Sequence, residues 1–226
     1  MQYTLTLKSV KYQSMLRVIV LNYKRPENMV HFIRSFKKVC PLSIVNNNPE
    51  EQFPYLGQPI DVINNTKNYF CMERWVRCFD YDEEYKLIVD DDLLPHPSLI
   101  NKMINLNVPI VGVYGKSGVD KANKYSDLKD HWCEDNSVDF LVGSVILVKQ
   151  SALNLIEDEI NKAGYPERGD DIIVSYLLKR KLGLKHLPTT SGKVLSLPEG
   201  NVGLNKDPSH FSRRWKVVEK FKNLTW

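Results

Sequence analysis

Asp90, Asp91 and Asp92 stand together at the end of the apolar run Tyr85-Lys86-Leu87-Ile88-Val89. Three adjacent carboxylates repel one another and a fold does not need them, so a cation is expected to offset the charge. The simplest candidate is a hard divalent ion, Mn²⁺ or Mg²⁺, held by Asp92 and Asp90. Alternate residues of an extended backbone point the same way, so these two side chains converge while Asp91 turns aside. Delivering carboxylates to the C-terminal edge of a strand is how open α/β sheets build ligand sites. The competing explanation, a loop that merely begins with acids, leaves the repulsion unanswered.

A second acid pair, Gly169-Asp170-Asp171, precedes Ile172 and Ile173 at the start of a helix. The helix dipole stabilises an acid there by about 0.3–1 kcal/mol, so capping accounts for part of the pair. A remaining carboxylate could act as a general base or stabilise an oxocarbenium-like transition state. Arg25 follows the first strand and Arg74 precedes the triad. Either guanidinium could fork onto diphosphate oxygens, or form a surface ion pair. Asn47 and Asn68 lie after the second and third strands, where an amide can read a pyrimidine edge; turn chemistry also accounts for them. His210 and Arg213 follow a glycine-bearing stretch and could close over a diphosphate. Trp132 is either a platform on the acceptor side or a core residue.

The elements that must position these groups alternate strand and helix, which argues for a mainly parallel sheet covered on both faces. Strands are expected at 16–21, 42–45, 60–63, 85–89 and 109–114, with a strand pair or bent strand over 138–148 around Gly143. Helices are expected from Pro26, over 71–79, 99–104, from a Ser151 cap to about Ile160, from Ile172 to Gly183, and over 209–222. Residues 115–137 are polar and weakly periodic, a long connection with room for small strands, of the kind that often carries function. The 226 residues suit one domain, with 1–15 as an N-terminal extension and 198–226 as a flexible segment and helix.

Hydrophobic residues make up 42% and charged residues 26%, ordinary globular values that exclude disorder. A net charge of +4 is too mild to indicate nucleic acid. The excess gathers near the end, at Lys206, Arg213, Arg214, Lys216, Lys220 and Lys222. Cys40, Cys71, Cys78 and Cys133 show neither CxxC nor zinc spacing, so reduced thiols in a cytoplasmic setting are expected. No signal peptide or membrane-spanning run is evident.

The order of these motifs resembles the GT-A-fold glycosyltransferases, most closely the exostosin-like catalytic domain of glycosyltransferase family 64. The likeness runs through Val20-Leu21-Asn22-Tyr23-Lys24-Arg25-Pro26, Val45-Asn46-Asn47-Asn48-Pro49 and Leu87-Ile88-Val89-Asp90-Asp91-Asp92. It continues through Ile110-Val111-Gly112 with Leu141-Val142-Gly143-Ser144, and ends in Gly169-Asp170-Asp171-Ile172. Small glycosyltransferases of large DNA viruses look similar, which would place the protein in a host cytoplasm. The resemblance implies the α/β GT-A (nucleotide-diphospho-sugar transferase) fold, a central mainly parallel mixed sheet flanked by helices. It implies Mn²⁺, a nucleoside-diphosphate sugar donor, usually UDP-linked, and a glycan or glycoprotein acceptor. By this likeness Asp92 binds the metal directly, Asp90 lies near the ribose or metal shell, and Asp91 lies near the donor sugar. Asn22, Tyr23, Arg25 and Asn47 fall among the nucleotide contacts, as does Arg74 unless a one-residue shift puts Glu73 there. Asp171, with Asp170 beside it, matches the carboxylate at the reacting centre. The family often has Cys or Glu where Gly169 stands, and residues 115–137 match nothing, so the acceptor does not carry over.

The expected activity is transfer of a sugar from that donor to a hydroxyl, with retention or inversion left open. A nucleotidyltransferase would usually place a glycine-rich loop after the first strand, and residues 22–26 contain no glycine. A non-catalytic nucleotide-sugar- or glycan-binding domain would bind the same ligands without turnover.

Overall fold

The computed structural model describes residues 12, 14–132, 137–183, 186–189, 193–199, 203 and 206–222. The expected N-terminal extension lies almost wholly outside the described residues, as do Cys133 and part of the 198–208 segment.

The chain begins β1 (Leu16–Asn22), α1 (Pro26–Phe36), β2 (Leu42–Asn46), β3 (Ile60–Asn64) and α2 (Glu73–Val76), the last continued by a 3₁₀ turn to Asp80. Next come β4 (Tyr85–Asp90), β5 (Leu93–Pro95), α3 (Pro97–Asn105), β6 (Ile110–Gly112), β7 (Gly115–Ser117), β8 (Lys129–His131), β9 (Phe140–Leu141) and β10 (Val145–Lys149). The remainder is α4 (Gln150–Leu153), α5 (Glu157–Ala163), α6 (Asp170–Leu182), β11 (Leu187–Pro188), β12 (Val194–Ser196) and α7 (His210–Lys222).

Seven strands form the main sheet in the order β11-β6-β10-β4-β1-β2-β3. Every described pairing is parallel except the two made by β10, so the sheet is mixed but mainly parallel. Leu16-Arg17-Val18-Ile19-Val20-Leu21-Asn22 is buried throughout, because helices cover both faces. Its side chains alternate between two cores: Ile19 and Leu21 pack with Ile88, Trp75 and Ile172, while Val18 and Val20 pack with Phe32, Leu87 and Leu147.

Two departures from the sequence expectations have identifiable causes. The single helix expected from Ser151 is two, α4 and α5, and Lys149 rather than Ser151 occupies the first N-cap. Leu93–Pro95 is a strand because Val194–Ser196 pairs with it, a partner some hundred residues away that local pattern cannot show. The small strands that the sequence allows in the 115–137 connection are present: β7 pairs with β8 and β9 in a small antiparallel sheet that walls one side of the site.

Candidate active site

β1 and β4 run side by side in register, with Leu21 opposite Asp90. From β1 the chain adds β2 and β3 on one flank and later β4 on the other, so a crevice opens where β1 and β4 end. A cavity of about 730 Å³ lies there, lined by Tyr23, Arg25, Asn47, Asn68, Arg74, the three aspartates, Asp170, Asp171 and His210 among others.

The strand stops at Asp90, and Asp91 and Asp92 form a turn, so strict alternation does not orient the triad. Asp91 is 5% exposed and points into the protein, where it pairs with Arg25 and accepts the Tyr23 N–H at 2.9 Å. Both its oxygens thus help hold the loop after β1, while the residue also lines the cavity. Arg25 Nη1 also lies 3.2 Å from Asp92, and Arg25 Nε donates to the Glu199 carbonyl at 2.8 Å. Arg74, fully enclosed, pairs with Asp90 and forks onto Asp170 at 2.9 and 3.1 Å. Two arginines therefore answer the triad first. They do not answer it fully: desolvation pushes the Asp90 acid up to about 7 and the Asp91 acid up to about 6, against the pull of Arg74 and Arg25.

The second acid pair divides its labour. Gly169, at φ 82°, turns the chain into α6 through the left-handed region. Asp170 Oδ2 accepts from Arg74 and from Trp75 Nε1 at 2.7 Å, which anchors that oxygen, while its Oδ1 has no partner among the described residues and the residue lines the cavity beside Asp171. Asp171 is 1% exposed, and its Oδ2 accepts from Gly143 N at 2.6 Å and from Arg214 Nη2 at 2.7 Å. Burial alone would raise its pKa, but Arg214, the Gly143 N–H and Arg74 outweigh it and hold the acid below its ordinary value. Asp171 is thus kept ionised. Its Oδ1 accepts only the Ile172 N–H, at 2.9 Å, among the described residues, which leaves acceptor capacity for a hydroxyl.

Residues 142–144 tie these parts together. Val142 N–H donates to the Tyr114 carbonyl at 2.9 Å, Gly143 N–H to Asp171, and the Ser144 carbonyl accepts from Asp90 N–H at 3.0 Å. Gly143 has no room for a side chain: a Cβ would sit 2.4 Å from Arg74 Nη2.

Other expected residues fall differently. Asn22 is off the cavity: its amide bridges to Asn46 at 3.0 Å and caps the Arg25 N–H at 3.3 Å. Asn47 lines the cavity, but its amide is spent on Asn65, Asn68, Tyr69 and Phe70, so it shapes the loop instead of reading a base. Asn68 Oδ1 takes part in that network, while its Nδ2 has no protein partner among the described residues. Arg74 faces the site, and Glu73 pairs away from it with Arg77. Arg213 is an exposed residue paired with Glu167; the arginine that enters the site is its neighbour Arg214. Tyr125, Lys116 and Asp130, from the small sheet and its turns, also line the cavity and were not anticipated.

His210 lines the cavity with a buried Nδ1 that has no partner among the described residues. Desolvation, with Arg214 and Arg168 nearby, pushes its pKa down to about 4, so at neutral pH it brings no charge. The unfolded chain takes up this proton near pH 6.5 and the folded chain only near the lower value, so stability falls as pH drops across that window. His210→Gln should therefore lose less melting temperature than the wild type between pH 7 and about pH 4.5. Equal losses in thermal melts would contradict this assignment.

The donor set suits a hard divalent ion. Asp90 Oδ2 and Asp92 Oδ1 have no partner among the described residues, and both side chains keep access to the cavity, at 34% and 20% exposure. Among the described residues no three His, Cys, Asp or Glu side chains form a cage, so the remaining ligands would be water and ligand oxygens.

No family model matches the chain, and no curated protein matches it in sequence. In structure it is similar to the crystal structure of S. aureus TarS 1–349, a glycosyltransferase, with a TM-score of 0.50 and 12% sequence identity. The match covers 81% of this chain and 60% of that one. At that identity the likeness bears on architecture alone: the chain shares a mixed α/β fold with that protein, a mainly parallel sheet flanked by helices.

Proposed function

We propose that the protein is a metal-dependent glycosyltransferase that moves a sugar from a nucleoside-diphosphate donor, UDP-linked by the motif resemblance to exostosin-like enzymes, to a glycan hydroxyl. The observation that carries this reading is the triad placed at the end of β4 in the cavity floor, with two carboxylate oxygens left over after the arginines are paired. Eight lining residues are carboxylates and five are lysine or arginine. A diphosphate would be repelled from such a surface unless a further cation entered with it. An ion on Asp92 and Asp90, Mn²⁺ by the same resemblance, would neutralise the charge that develops on the departing diphosphate.

The chain's own residues supply the rest. Arg25 and Arg74 fix the triad, and their guanidinium edges add positive potential beside it. Asp171, kept ionised by Arg214, would orient the acceptor hydroxyl or stabilise positive charge at the anomeric carbon. Tyr23 and Asn68, from the loops after β1 and β3, border the flank assigned to the nucleoside.

The test is thermal denaturation with UDP, GDP or CMP, each with and without Mn²⁺. A nucleotide that raises the melting temperature only when the metal is present supports the reading. Donor turnover that ignores metal, in a mass-spectrometric screen with simple sugar acceptors, would overturn it. Metal-dependent binding with no turnover would leave a nucleotide-sugar-binding domain.

A further inference from the structure

Trp132 is half exposed, and its ring lies flat on Tyr114, with centroids 3.9 Å apart and planes 9° apart. A large aromatic left open on one face and braced on the other is unusual for a surface residue, because the open face forgoes burial. Its brace is rigid. The Tyr114 hydroxyl and Lys116 Nζ both donate to Asp130 Oδ1, and Lys116 is nearly buried. Asp130 Oδ2 has no partner among the described residues, and the Asp130 side chain is 52% exposed.

The position matters as much as the shape. Tyr114, Lys116 and Asp130 line the same cavity as the triad, and Trp132 extends that wall outward. The Tyr114 carbonyl accepts from Val142, next to the residue whose N–H holds Asp171. The stacked pair therefore stands on the β6–β10 side of β4, beside Asp171, while Tyr23 and Asn68 stand on the β1–β3 side. A nucleoside on the latter flank leaves this one for the other substrate.

We infer that the Tyr114–Trp132 stack, with Asp130, is the subsite for a pyranose ring of the acceptor. The negatively polarised face of Trp132 suits the C–H face of a sugar, and a free carboxylate oxygen beside it accepts from a ring hydroxyl. This rests on the proposed glycosyl transfer for its meaning, but not for its test.

The experiment is saturation-transfer difference NMR on the wild type, Trp132→Phe and Trp132→Ala. The probes are the methyl glycosides of glucose, galactose, xylose and N-acetylglucosamine, in the presence of UDP and Mn²⁺. At least one probe should show contact through ring C–H protons. Its affinity should fall by about five- to tenfold in Trp132→Ala and less in Trp132→Phe, as loss of one aromatic face implies. Equal binding by wild type and Trp132→Ala, or binding of no probe, overturns the subsite. The nucleotide-dependent melting shift, read on the same samples, reports separately on the donor flank. If it is missing while the sugar still contacts Trp132, the transferase reading fails and the subsite stands.

Discussion

Asp92→Asn should abolish metal-dependent nucleotide stabilisation and lower donor turnover by about 10²–10³-fold, the scale of losing one electrostatic contact to a developing oxyanion. The change should cost little stability. Asp92 is partly exposed and shares Arg25 at 3.2 Å with Asp91, which keeps that arginine paired after the substitution. Mn²⁺ titration followed by melting temperature, together with turnover of the donor found by screening, measures both effects. Full turnover in this variant would remove the metal from Asp92 and with it the central assignment.

The largest stability effect is expected at Arg214. Arg214→Met leaves the Asp171 carboxylate enclosed without its counter-charge, and breaking a buried pair from one side costs about 3–5 kcal/mol. In a chain of this size that is a fall on the order of 10 °C in melting temperature. It also frees the Tyr125 hydroxyl, which accepts from Arg214 Nε at 2.9 Å. Asp171→Asn added to Arg214→Met should restore part of the loss, because the second change removes the orphaned charge. Denaturation of both single variants and the double variant gives the coupling. A double variant as unstable as the sum of the singles would mean that the two residues act independently.

Much of this architecture was legible because its central strands are short, apolar and bounded by turns. Leu16–Leu21 and Tyr85–Val89 announce themselves, and the acids that follow the second mark the site. What the sequence hid was orientation between neighbours. Asp170 and Asp171 are adjacent on one helix and both line the cavity, and only the fold shows that Arg74 and Trp75 anchor the first and Arg214 the second. Arg213 and Arg214 pose the same problem, yet here a signal existed. Val218 and Phe221 are the apolar stripe of α7, and stepping back four and seven residues from them lands on Arg214. The wall built from Gly115 to His131 carried no such signal: its strands are three residues long and owe their register to Phe140–Leu141 and to each other. Asn22 and Asn47 look like ligand groups in sequence, but buried amides must satisfy four hydrogen-bonding sites, and neighbouring loops satisfy them first.

The backbone of residues 142–144 touches Tyr114, Asp171 and Asp90, which come from three distant stretches of the chain. No early folding intermediate that lacks β10 can hold these groups in their working arrangement, since long-range pairings form late and slowly. During refolding, nucleotide-binding competence should therefore return with the last kinetic phase, after most helical signal has recovered.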